Sequence, residues 1–379
     1  MEDRADCVRG KRLGLIANPT SVDSRFRHAI DALHDHPEIQ LEVLFGPEHG
    51  LRGFAQDQVE LEDELDSRTG LPVVSLYGPN RVPTPEMLRG LDALVFDIQD
   101  IGSRYYTYIW TMAYAMEACA REDVEMIVCD RPNPLGGDEV EGNLIENDFT
   151  SFVGLYPIPN RHGMTVGELA GFFNEAFGIG CRLTVVPMEG WARSEWYDQT
   201  RLPWIMPSPN MPTLDTAIVY PGMCLVEGTN VSEGRGTTRP FEIIGAPWIE
   251  PHRLVVELEM EDLPGVSFRA LHFQPTFHKF AEKVCGGIQL HVSDRLDFRP
   301  LRTALAILSI LKRLWPTEFA WREPPYEYES ERPAFDILMG NDLVRSQIES
   351  GVSVVEIEGG WEDQTQQFFV ERQPFLVYR

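Results

Sequence analysis

ALVFDIQDIGSRYYTYIW, residues 93–110, decides the fold. The apolar run from Ala93 to Ile98 is too short for a core helix, and its valine, phenylalanine and isoleucine suit a strand covered on both faces. Gly102 permits a tight turn, and the aromatic stretch after it opens a helix expected over about 105–120. Outward from this stretch the same alternation recurs. Leu13 to Ala17, Leu41 to Phe45, Val73 to Tyr77, Met126 to Cys129 and Arg182 to Val186 read as buried strands, with helices expected near 24–34 and 85–90. Strand and helix in turn imply crossovers and a mostly parallel sheet, an α/β domain.

A further helix has a readable start. Thr165 and Glu168 have capping-box spacing, and Leu169, Phe172, Phe173 and Ala176 form one stripe before Gly178. Residues 187–250 break this rhythm with dense Pro, Gly and Trp, and are expected to be an irregular active-site wall at a domain junction. Regularity returns with a helix from Pro251, a half-buried strand over Gly287 to Val292, an apolar helix from Pro300 to Leu314 and another start near Asn341; Trp361 to Val370 suits helix or strand. At 379 residues two domains are expected, 1–188 and 189–379, the second a smaller α+β unit closing a cleft against the first.

Asp and Glu outnumber Lys and Arg by 59 to 33, a formal net charge of −26. Such a field repels nucleic acid and anionic membranes, so neither is an expected partner. The six cysteines form no C-x-x-C pair, which implies free, mostly buried thiols and a reducing compartment. MEDRADCVRGKRLG carries no apolar leader and the chain has no run of 18 apolar residues, so a cytoplasmic location is expected, or export if a leader has been removed. Dinucleotide, P-loop and nucleophile-elbow motifs are absent, and no metal-ligand spacing appears.

Functional groups are expected at strand ends. After the second strand, Gly46-Pro47-Glu48-His49-Gly50 sets a carboxylate beside an imidazole, with Phe45 and Leu51 to desolvate it. Asp97 and Gln99 share a strand face, and Arg104 and Tyr105 follow at the mouth of the next helix, a donor and ring set suited to sugars. Asp130 and Arg131 can pair, and the proline-stiffened loop beyond them carries Glu141 and Asn143, the latter able to hold an acetamido group. Asn160, Arg161 and His162 precede the capped helix, while Glu227, Asn230, Glu233, Arg235 and Arg239 crowd into thirteen residues. Glycoside cleavage needs two carboxyl groups, about 5–5.5 Å apart for retention or about 6.5–9.5 Å for inversion. Glu48 and Glu141 are the first candidates, with Glu227 and Glu233 in reserve; a binding or scaffold protein without turnover is the alternative.

GLIANPTSVD, LFGPEHGLRG, VFDIQDIGSRYYTYIWTM, DRPNPLGG, VEGN, IPNRHGMTVGELA, MPSPNMPT, YPG, EGTNVSEGRGTTRPFE and PTFHK together resemble the exo-β-N-acetylmuramidase family, also known as domain of unknown function 1343. The resemblance implies a Rossmann-like first domain, a smaller second domain and a cleft between them. It implies release of N-acetylmuramic acid from the non-reducing end of peptidoglycan-derived saccharides or muropeptides, with no cofactor. The resemblance places the family's acidic residues on Glu48 and Glu141, with His49 and the Glu227–Glu233 loop nearby; it does not divide the roles between them, and we assign Glu48 as general acid and Glu141 as its partner. N-acetylmuramic acid carries a lactyl carboxylate, so Arg104, Arg161, Arg235 or Arg239 is expected to meet it.

Overall fold

The computed structural model describes residues 6–51 and 64–379; Arg52 and Gly53 of LFGPEHGLRG lie outside them. The short apolar runs assemble into one sheet: β1 (Arg12–Ala17), β2 (Gln40–Gly46), β3 (Glu64–Leu65), β4 (Pro72–Ser75), β5 (Ala93–Asp97), β6 (Glu125–Cys129) and β7 (Leu183–Val186). Their spatial order is β3-β4-β2-β1-β5-β6-β7. Every neighbouring pair is parallel except the edge strand β3, which runs antiparallel to β4. The parallel part winds outward both ways from β1 and β5, a Rossmann-like order that opens a crevice at the carboxyl ends of the strands.

Alternation along the strands sends side chains to two cores. Leu13, Leu15, Leu44, Val95 and Ile127 pack with Ile30 and Leu33 of α1 (Ala29–His34) on one face. Ile16, Phe45, Leu94, Phe96 and Val128 face the other way, into a larger core with Met112 and Met116 of α3 (Tyr108–Glu122) and Phe173 of α4 (Val166–Ala176). Each such fully buried side chain contributes about 1.5–3 kcal/mol relative to exposure.

The α1 helix is shorter than the expected 24–34. The Asp23 carboxylate accepts from the amides of Arg25 (2.8 Å) and Arg27 (2.9 Å), holding those residues in a turn, and His28 Nδ1 then caps the helix through the Ile30 amide (3.2 Å). The expected 85–90 helix is the single turn α2 (Pro85–Leu88). The α3 helix begins three residues later than expected, after a separate turn in which the Tyr106 amide donates to the Ser103 carbonyl (3.1 Å). The capping box of α4 forms in both directions: the Glu168 amide donates to Thr165 Oγ1 (3.2 Å), and the Thr165 amide to Glu168 Oε2 (3.0 Å).

Residues 187–250 are not wholly irregular. They contain α5 (Leu214–Met223) and β8 (Ile243–Ala246). From Thr216 to Met223 the α5 helix is buried on all sides, so no apolar stripe betrays it, and Pro221 sits inside it. β8 joins β9 (Val266–Phe273) and β10 (Cys285–Val292) in an antiparallel sheet of order β8-β10-β9. α6 (Pro251–Leu258) packs on this sheet and against α7 (Pro300–Leu314), which also meets α5, α9 (Leu343–Glu349) and α10 (Val354–Gly359), while α8 (Ala334–Met339) packs on α9 and on the turn after α5. The ambiguous C-terminal segment is a helix, α11 (Glu362–Glu371).

The chain end then returns to the first sheet. Phe368 packs edge-on against Phe172, and the Tyr378 hydroxyl donates to Asp130 (2.6 Å) at the end of β6. All six cysteines are free and five are buried. Among the described residues no helix is long and apolar enough to cross a membrane.

Candidate active site

β2 ends at Gly46, and the Gly50 amide closes the following turn on the Pro47 carbonyl (2.8 Å). The turn needs left-handed backbone at His49 (φ 68°) and Gly50 (φ 75°). That is ordinary for glycine and costly for histidine, and such strain is typical of functional loops. The turn buries Glu48 to 7% exposure and aims it at α3, where the Thr107 hydroxyl donates to its Oε2 (2.6 Å).

A second glutamate lines the same cavity. Glu227 lies in the 3₁₀ turn Cys224–Gly228 that continues α5. Its carboxylate accepts from Arg235 Nη2 (2.7 Å) and from the Tyr326 hydroxyl (3.0 Å). Glu48, His49, Tyr105, Glu227 and Arg235 line one cleft together with Tyr106, Tyr220, Phe241 and Tyr326. The rings are locked edge to face, Tyr220 at 5.8 Å from Tyr106 and 4.8 Å from Phe241. The cleft lies where the β2 and β5 ends meet the second domain, close to the reversal in strand winding.

Behind Glu227 sits a buried charge cluster. Glu233, with no exposure, lies 2.9 Å from Lys279 Nζ, 3.1 Å from His278 Nδ1 and 3.4 Å from Arg235 Nε. Burial alone would push this carboxyl up, but Lys279, His278 and Arg235 together hold it well below the usual range. Arg235 is thereby fixed between two carboxylates, and its guanidinium rests on the Phe241 ring (5.2 Å).

Glu141 does not face Glu48 across this cleft. Its backbone pairs with Arg161 in both directions (3.0 and 2.9 Å), and its Oε1 accepts from the Leu301 amide (2.9 Å) in the first turn of α7. Gly142 (φ 99°) makes the turn; a Cβ there would lie 2.0 Å from Asn160 Oδ1. The stiff excursion therefore delivers a carboxylate to a helix N-terminus, where the unpaired amides favour an anion. Although part of Glu141 reaches the surface, its Oε2 is shut from solvent without a partner. Burial pushes its carboxyl up to about 7, against the opposing pull of Arg161 and the Leu301 amide.

The raised Glu141 carboxyl makes stability depend on pH. Between pH about 4.5, where the unfolded chain releases this proton, and about 7, where the folded one does, stability falls as pH rises. Burial of Asp130, raised to about 6, acts in the same direction. Glu141→Gln, neutral throughout, is expected to flatten the decline by roughly 2–3 kcal/mol in urea unfolding between pH 5 and 8. An unchanged slope would contradict this environment for Glu141.

Several other expected ligands have polar groups committed to partners within the fold. Arg104 is fully buried and donates to the carbonyls of Asn143 (2.6 Å), Ile158, Leu338 and Met339 (2.9 Å each), clamping α8 to the first domain. The Asn143 side-chain NH2 donates to the Leu144 (2.8 Å) and Met339 (2.7 Å) carbonyls, and Asn143 does not line the cleft with Glu48. Asn160 acts through Tyr105, donating to its hydroxyl at 2.5 Å. Arg161 donates to the Leu135 carbonyl, and His162, wholly buried, lies 3.4 Å from Asp100. Asn230 bridges the Glu318 carbonyl and the Ala320 amide.

The Arg131 guanidinium pairs with Asp97 (2.7 Å) while its backbone amide donates to Asp130 Oδ1 (2.9 Å), and Asp97 and Asp130 line a separate groove of about 440 Å³. Arg239 pairs with Glu242 (3.0 Å) in a wide depression of about 680 Å³. Of the four arginines expected to meet a lactyl group, Arg235 is the one lining the cleft. Thr107, Tyr220, Phe241 and Tyr326 also line the cleft and were not singled out from the sequence. Tyr220 stands in the YPG motif, the one signal that could have drawn attention to it. Among the described residues no cluster of His, Cys, Asp and Glu is arranged to hold a metal ion.

Comparison with known proteins agrees with this architecture. Residues 13–215 match the N-terminal family model of exo-beta-N-acetylmuramidase NamZ, and residues 218–378 match its C-terminal model. The peptidoglycan beta-N-acetylmuramidase NamZ of Bacillus subtilis (strain 168) is 50% identical over 371 residues, 98% of this chain and 88% of that protein. Two crystal structures of DUF1343 family proteins from Bacteroides fragilis NCTC 9343 superpose over the whole chain and 97% of their own. They do so with TM-scores of 0.91 and 0.79 at 38% and 32% identity. The chain belongs to the exo-β-N-acetylmuramidase NamZ family.

Proposed function

We propose that Glu48 and Glu227 are the working carboxyl pair of this glycoside hydrolase, which releases N-acetylmuramic acid from the non-reducing end of peptidoglycan fragments. The observation that carries this reading is that both glutamates line one cleft walled by aromatic rings, whereas Glu141 does not. Glu48 has a neutral hydroxyl, that of Thr107, as its partner and is the proton donor to the departing glycosidic oxygen. Glu227 is held as an acceptor by the Arg235 guanidinium and the Tyr326 hydroxyl, and its carboxylate faces the positive charge that develops at the anomeric carbon. The tyrosine and phenylalanine rings offer faces to sugar C–H groups, and their edge-to-face packing keeps them in place before a ligand arrives.

Arg235 is the cation we assign to the lactyl carboxylate. On a chain of net charge −26, an anionic substrate needs a local positive group at the site. Arg235→Lys keeps the charge but loses the fork, so the preference for a chromogenic β-muramide over the matching β-glucosaminide, compared as kcat/KM, is expected to fall about tenfold or more. A preserved preference would refute the assignment of Arg235. Absence of release by the unsubstituted protein at any pH, with saccharide binding intact, would instead favour a binding module. We also place the enzyme in the cytoplasm, recycling imported wall fragments; six free thiols, five of them buried, support a reducing compartment.

A further inference from the structure

We propose that a second groove, beside the cleft, binds a carboxylate-bearing sugar of the substrate chain on the leaving-group side of the scissile bond. This rests on the catalytic reading above and extends it from the cleaved residue to the chain that carries it. The groove, of about 470 Å³, is walled by Trp248 and Phe280 and edged by His278, Lys279 and Arg322. Among the described residues no aspartate or glutamate lines it. Among the described residues no carboxylate lies within ion-pair distance of Arg322, whose guanidinium instead lies 5.0 Å above the Tyr326 ring. The combination of aromatic faces and a planar cation suits a sugar ring that bears a carboxylate.

The groove and the cleft share a wall. Tyr326, with Arg322 on its ring, donates from its hydroxyl to Glu227. Lys279 donates both to Glu233 (2.9 Å) and to the carbonyls of Val226 and Glu227 (3.3 Å each). A chain leaving the cleft therefore passes beside a local positive region in an otherwise acidic protein.

The backbone is forced into this arrangement. His278 (φ 67°), Phe280 (φ 57°) and Glu282 (φ 63°) all adopt left-handed conformations within five residues. For phenylalanine in particular that conformation is strained, and such strain persists where surrounding contacts over-determine it. The contacts are visible: the Thr276 amide donates to the Gly236 carbonyl (2.9 Å) and the Glu282 amide to the Pro275 carbonyl (2.8 Å). At Gly236 a Cβ would lie 2.6 Å from the Phe277 carbonyl oxygen, so only glycine lets the two segments approach. The strained loop presents Phe280 to the groove while committing His278 and Lys279 to Glu233.

The test compares two substrates in one protein. One is a minimal chromogenic β-muramide; the other is a peptide-free glycan several sugars long, with its lactyl carboxylates exposed. The readout is the ratio of kcat/KM for the long chain to that for the minimal muramide, which does not depend on how much of a variant folds. Arg322→Gln and Phe280→Ala are each expected to lower the ratio about tenfold, and added salt to lower it in the unsubstituted protein but not in Arg322→Gln. A ratio unchanged in both variants, including the case where both substrates slow equally, overturns the proposal and leaves the groove as a brace for Tyr326. If the unsubstituted protein turns over neither substrate, the catalytic reading fails by itself. Calorimetric binding of the long chain then decides the groove: weaker binding to Arg322→Gln supports it, and equal binding overturns it.

Discussion

Glu48→Gln is expected to lower kcat for a chromogenic β-muramide by about 10²–10⁴-fold, the usual worth of a positioned general acid. The amide keeps the size of the side chain, and its oxygen still accepts from the Thr107 hydroxyl, so the turn after β2 should hold its shape. What disappears is the proton for the departing oxygen. A leaving group that needs no proton, such as a dinitrophenolate, should therefore recover most of the lost rate in Glu48→Gln. Near-normal turnover of a poor leaving group by this variant would remove Glu48 from the acid role.

The second large effect separates Glu227 from Glu141. Glu227→Gln removes the charge facing the anomeric carbon and is expected to cost about 10²–10³-fold in kcat, with no recovery on a dinitrophenyl substrate. Glu141→Gln is expected to stay within a few-fold of the unsubstituted enzyme, since the Glu141 carboxylate meets the Leu301 amide and not the cleft. The shift of Glu141 to about 7 looks like the signature of a catalytic acid. The proposed pairing gives it no such role, because a proton donor must reach the atom it protonates and Glu141 does not line the cleft. If Glu141→Gln abolished turnover and Glu227→Gln spared it, the pairing proposed here would have to be reversed.

Arg104 and Arg235 show why such distinctions escape a reading of motifs. Both stand in glycine-bearing stretches beside aromatic residues, and both are plausible anion ligands on the page. Arg104 is enclosed by four carbonyls from three distant segments, two of them in the last fifty residues of the chain. Arg235 is held instead by Glu227 and Glu233, which leaves it lining the cleft. Nothing local to either arginine records which partners will arrive.

By itself the sequence determined the parallel sheet, the capped α4 helix and the placing of Glu48 at the end of β2. Those features depend on neighbours within a few residues: apolar runs of strand length, a Thr and a Glu three apart, a Gly-Pro turn. It also carried enough ordered motifs to indicate the family. Only the tertiary structure decided that α5 exists as a helix, that Glu141 serves the start of α7, and that Glu227 is the glutamate sharing a cleft with Glu48. A helix buried all round has no polar face to mark its period, and a carboxylate's role depends on which remote backbone amide, guanidinium or hydroxyl the fold brings against it.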